Sequence, residues 1–130
     1  MRIKNIFGRQ VNRSFAKYRV DWDRKVSGPQ KMVKDIIRPY WIADDVYEEL
    51  LIPNSILRVD LINFSKRVAI EVSPKSSHGY NEFFIKNRSN FLAFKKRELE
   101  KFRWFEINGI KGIELTDRDL KGVEWLGEVI

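Results

Sequence analysis

The chain has 130 residues, 25 Lys/Arg against 18 Asp/Glu, and no cysteine. That length gives one domain with a real core and is too short for two, and without cysteine there is no thiol catalysis, thiolate zinc site or disulfide framework. No apolar run approaches the roughly 20 residues of a membrane span, so the composition predicts a soluble protein of a reducing cytoplasm.

Charge is unevenly placed. Residues 1–34 hold ten Lys/Arg against two acids, 35–80 five against seven, and 81–130 ten against nine. A basic arm beside an acid-lined centre suits a phosphate polymer held over a cation, because Lys and Arg displace its counterions; a basic tail kept for solubility is the plainer reading. The arm, 1–26, mixes cations with single apolar residues (Ile3, Ile6, Phe7, Phe15, Tyr18, Trp22); Asn12 to Trp22 is expected to form a short helix, or an arm laid against the body 27–130 or against a second subunit. Arg9, Arg13, Lys17, Arg19, Arg24 and Lys25 are its candidate DNA contacts.

Ser27-Gly28-Pro29 predicts a helix start. Met32, Val33, Ile36, Ile37 and Tyr40 make its apolar face, and Pro39 is expected to end or kink it. Val46–Ile52 reads as a strand with Glu48 and Glu49 on opposite faces, one of them to join an acid cluster and the other solvated. Pro53-Asn54-Ser55 is a turn.

Leu57–Asn63 and Arg67–Ser73 then read as two strands separated by Ser65-Lys66, a hairpin signal. A two-residue turn sets Phe64 against Arg67, Ile62 against Ala69 and Asp60 against Glu71. Opposed Cβ atoms lie roughly 4.5–5.5 Å apart, where like charges destabilise a sheet. A divalent cation between the carboxylates would offset that cost; an exposed acidic pair, or a longer turn with shifted register, would avoid it.

Ser76 to Asn81 is a loop carrying His78, the single histidine. Lys86 and Arg88 precede a helix capped by Ser89 or Asn90, running to about Ile107 and stopped by Asn108-Gly109. Phe91, Leu92, Phe94, Leu99, Phe102 and Phe105 fall within roughly a 160° arc and predict its buried face. Lys96, Arg97, Lys101 and Arg103 decorate the remaining surface, where they could track phosphates, though Glu98, Glu100 and Glu106 nearly balance them and favour a solvated face for most. Lys86 and Arg88 are further DNA-binding candidates. Ile110–Leu115 is another strand, and Thr116-Asp117-Arg118-Asp119 leads into a C-terminal helix with Val123, Trp125 and Leu126.

Asp60, followed eleven positions later by Glu71 at the end of VAIEV with Lys75 nearby, resembles the core of the PD-(D/E)xK nucleases over about Ser27 to Leu120. The resemblance implies an α/β fold, a restriction-endonuclease-like core with a mixed central β-sheet flanked by helices. It implies a Mg²⁺- or Mn²⁺-dependent DNA endonuclease of phage or bacterial type, a homing or junction-resolving enzyme, with Asp60 and Glu71 as metal ligands. Its third position, usually Lys, is Ser73 here, so Lys75 is expected to substitute. Gln30 stands where the family's first helix often carries Glu, and some relatives place a histidine after this strand, which makes His78 a candidate base. The expected partner is double-stranded or branched DNA, cut by a homodimer inside a bacterial or phage-infected cell. The rival expectation is a non-catalytic DNA-binding protein on a degenerate nuclease fold, favoured by Gln30 and Ser73.

Overall fold

A computed structural model describes residues 1–73 and 88–130, the side chains of 88–94 excepted. Among these residues the order is β1 (Arg2–Lys4), β2 (Gln10–Asn12), α1 (Gly28–Trp41), β3 (Val46–Leu51), β4 (Arg58–Asn63), β5 (Val68–Val72), α2 (Arg88–Ile107) and β6 (Lys111–Leu115), with short 3₁₀ turns. β3 to β6 form a mixed four-stranded sheet in sequence order: β3/β4 and β4/β5 antiparallel, β5/β6 parallel. This is a small mixed α/β protein. No helix among the described residues is long and apolar enough to cross a membrane.

α1 starts as its sequence dictates, with Ser27 Oγ accepting from the Gln30 amide and Pro29 in the first turn. Pro39 does not end it; the helix runs on to Trp41, because so near the C-terminus a missing N–H disturbs only the last turn. Its packed face differs from the periodicity reading. Val33, Ile37 and Trp41 are buried, whereas Met32 and Tyr40 are exposed. Lys34 is fully buried, its Nζ 2.6 Å from Glu48 Oε2 and donating to the carbonyls of Asp21 and Arg24.

The β4/β5 hairpin has the expected register, Leu61↔Ile70, Ile62↔Ala69 and Asn63↔Val68. Its loop is four residues long, with Arg67 in the left-handed region (φ 56°), so β5 starts at Val68. Gly109 (φ 67°) stops α2, and Gly112 lets it close on the sheet, since a Cβ there would sit 2.5 Å from Phe105 Cδ2. On α2, Trp104 and Phe105 are buried while Leu99 is 71% exposed, contrary to the predicted arc. Phe91, Leu92 and Phe94 lie outside the described side chains. The C-terminal helix is instead two 3₁₀ turns, Asp119–Lys121 and Glu124–Glu128, which bury Trp125 and leave Val123 exposed.

Residues 1–26 are built into the body. β1 and β2 form a hairpin, Ile3 and Phe15 share a core cluster with Trp104 and Tyr47, and Trp104 Nε1 donates to the Lys4 carbonyl. Arg19 bridges to Tyr47 on β3, and the Val20 amide donates to Val46 O.

Candidate active site

The β4/β5 ladder is paired as far as Leu61↔Ile70. At the next position two carboxylates take over as backbone acceptors: the Asp60 amide donates to Glu71 Oε2 (3.3 Å), and the Val72 amide donates to Asp60 Oδ2 (2.8 Å). The two acids expected to face each other are thus interlocked across the strands. Gln30, from the first turn of α1, donates through Nε2 to the Asp60 carbonyl (3.3 Å). The strand and the helix start converge on one residue.

Glu49 completes the row. The β3/β4 register places it opposite Asp60, between Glu48↔Leu61 and Leu50↔Val59, and its φ is +50°. One left-handed residue breaks the two-residue alternation of a strand. Tyr47 and Leu50 therefore both reach the core under α2. Glu49 joins the acid row, and Glu48 turns to the α1 side, where it is buried against Lys34 and Arg24 rather than solvated. Glu114 on β6 pairs with Glu71, extending the row to a fourth strand.

Opposite this row stands Lys101, on a helix face that periodicity assigns to solvent. Its Nζ lies 3.1 Å from Glu71 Oε1 and 3.7 Å from Glu98 Oε1. Glu71 is 1% exposed. Burial, then the neighbouring Asp60 charge, pushes its carboxyl well above the ordinary range, and Lys101 only partly opposes them. Burial raises Glu49 and Glu98 as well. Burial alone would lower Lys101, but Glu71 and Glu98 outweigh it and hold the ammonium protonated to higher pH.

A raised carboxyl makes the folded chain bind more protons than the unfolded one between the two titrations. Stability contributed by Glu71 is then intact at acidic pH and falls as pH climbs out of the carboxylate range. Glu71→Gln keeps an acceptor for the Asp60 amide and removes the charge, so it should flatten that decline. Urea midpoints followed against pH check this; a variant with the wild-type slope would place the penalty elsewhere.

Among the described residues no group of three or more His, Cys, Asp or Glu side chains is arranged to hold a metal. Asp60 and Glu71 still offer adjacent hard oxygens, and Glu71 Oε1 is buried with the Lys101 ammonium 3.1 Å away. Mg²⁺ is held by one or two carboxylates with waters and substrate phosphate supplying the rest, so this pair fits it.

The other expected residues are scattered. Lys75, His78 and Lys86 lie outside the described residues, and Arg88 begins α2 with its side chain outside them. Lys66 is at the far hairpin turn, paired with Asp44 at 2.7 Å. Arg9, Arg13, Lys17, Arg19, Arg24 and Lys25 are all exposed. Arg19 is paired with Asp45 and Arg24 with Glu48. Lys17, Arg19, Arg24 and Arg58 line a cleft of about 400 Å³ with Asp21, Glu48 and Glu49 also in its wall. Arg58 and Lys101 were missed by sequence reading; Arg58's place two residues before Asp60 was the available signal, and Lys101 had none. Compared with protein-family models, curated proteins and solved structures, the chain matches none.

Proposed function

We propose that the protein is a Mg²⁺-dependent DNA endonuclease on a restriction-endonuclease-like core of the PD-(D/E)xK class. The observation that carries this reading is the Asp60–Glu71 interlock with Lys101 Nζ 3.1 Å from Glu71. Two buried or half-buried acids beside one protonated lysine are costly for folding alone, and perturbed groups of this kind concentrate where chemistry is done.

Asp60 and Glu71 would hold the ion. When bound, Mg²⁺ supplies Lewis acidity and a nucleophile competent at neutral pH. Gln30 fixes the Asp60 backbone, so the carboxylate keeps its aim. Lys101, kept charged by its acidic neighbours, sets a cation against the phosphate being cut and takes the place expected of Lys75. The arm's cations and Arg58 bind the flanking phosphates. Double-stranded or branched DNA is the substrate, a homodimer the working form, and a bacterial or phage-infected cell the setting.

Lys101→Ala should slow cleavage of supercoiled plasmid in Mg²⁺ by about a hundredfold, whereas Lys66→Ala leaves it unchanged. Lys75→Ala in the same assay tells whether Lys75 shares the role. A Lys101→Ala protein that is folded and cuts at the wild-type rate would remove Lys101 from the mechanism. The second reading, a DNA-binding protein without chemistry, has one observation behind it: Lys101 already sits in an ion pair with Glu71. Wild-type protein that binds DNA and never nicks it, in Mg²⁺ or Mn²⁺, would establish that reading.

A further inference from the structure

Beside the acid row the protein presents a second surface that the proposed chemistry does not use. The β1/β2 turn and the β3/β4 turn are fastened together: Asn5 Nδ2 donates to Asn54 Oδ1 (3.0 Å), and the Ile6 amide donates to Pro53 O (3.1 Å). Asn5 also caps its own turn, its Oδ1 accepting from the amides of Phe7 and Arg9. Each turn carries one large apolar side chain in water, Phe7 at 71% exposure and Ile56 at 85%. Both line a concavity of about 780 Å³ whose far wall is α2, with Lys96, Arg97 and Arg103 against one acid, Glu100.

Single apolar side chains in water are ordinary, but Phe7 and Ile56 lie on turns clamped together at one concavity rimmed by charged residues, and an apolar patch rimmed in this way marks an interaction site. Cations along the opposite wall select a polyanion as occupant. We propose that this concavity grips DNA next to the scissile phosphate, Lys96, Arg97 and Arg103 on the phosphates and Phe7 with Ile56 wedged against a base step that they unstack. Apolar side chains inserted at a base step distort a duplex in this way, and exposed bases stack on aromatic rings. The surface joins the acid row through two elements: β4 begins just after Ile56 and carries Asp60, and α2 carries both this basic wall and Lys101. The inference rests on the nuclease reading for its placement, and its test needs no cleavage.

The full chain is titrated in EDTA with duplexes and four-way junctions containing 2-aminopurine, whose fluorescence rises when its base is unstacked. Wild type should bind with a fluorescence rise. Phe7→Ala/Ile56→Ala should lose the rise and about tenfold in affinity with the salt slope kept. Arg97→Gln/Arg103→Gln should lower the salt slope by roughly two. All four side chains are exposed, and a wild-type melting temperature verifies the fold of each variant. Variants that bind and unstack like wild type would overturn the inference while leaving the nuclease reading intact. A Phe7→Ala/Ile56→Ala protein that turns from dimer to monomer in sedimentation, with DNA affinity per site unchanged, would overturn it in favour of a second copy of the chain. Plasmid cleavage in Mg²⁺ is read separately, so a protein that unstacks DNA and never cuts it sinks only the chemistry.

Discussion

Asp60→Asn should end cleavage, with a loss of at least about a hundredfold, and leave DNA binding intact or tighter in metal-free buffer. The substitution is close to isosteric, and an amide oxygen can still accept from the Val72 amide, so the lock across β4 and β5 survives. What disappears is one negative charge beside Glu71. Without metal that charge repels phosphate, and its removal should help binding. Mg²⁺ should raise the melting temperature of wild type and do little for the variant, because a ligand stabilises only the state that binds it. A variant that cuts normally, or a wild type whose DNA complex is indifferent to Mg²⁺, would defeat the nuclease reading.

The largest effect on stability should come from Lys34→Met. Lys34 and Glu48 are 0% and 3% exposed, and removing one partner of a buried pair strands the other, at a cost of about 3–5 kcal/mol. The carbonyls of Asp21 and Arg24 lose their donor too. Against a total stability on the order of 5–15 kcal/mol this is a large share. Lys34→Met/Glu48→Leu should recover much of the loss, since an apolar pair of similar volume leaves no uncompensated charge. Denaturant melts of both variants decide it. A single variant within about 0.5 kcal/mol of wild type would mean that Glu48 is already satisfied by Arg24.

The centre of the site was legible because a hairpin's register depends on few variables. Asn63 and Val68 flank a polar break, and two-residue and four-residue loops give the same pairing, so Asp60 and Glu71 met despite the wrong loop length. The cap at Ser27 made Gln30's place in the first turn legible, while its place in the site came only from the resemblance. Lys34 and Lys101 were not, because a buried lysine is specified by an acid on a different element and leaves no periodic trace in its own helix. Glu49 escaped assignment for a related reason: alternation assumes every residue is extended, and its left-handed backbone exchanges the faces of β3 half-way along. The N-terminal hairpin, with strands of three residues, is too short to show a period. The C-terminal segment carries a cap-like Thr116–Asp119 pair, but Gly122 and Gly127 interrupt it before a full helix can form.

β3 ends the order of the central sheet, so one side of its backbone is not covered by another strand of that sheet. An uncovered strand is a template for pairing with a second chain, and proteins blunt it by covering or bending it. Here Arg19 and Val20 lie along its first half, and Glu49 bends it beyond that point. Two copies therefore have little straight backbone at β3 on which to zip together, and a dimer would have to form through side chains elsewhere. Cutting away residues 1–25 would undo this protection. It would lay open Val46 and Tyr47 together with the apolar surface left by Ile3 and Phe15, and yield a self-associating protein rather than a clean measure of what the basic residues contribute to binding DNA.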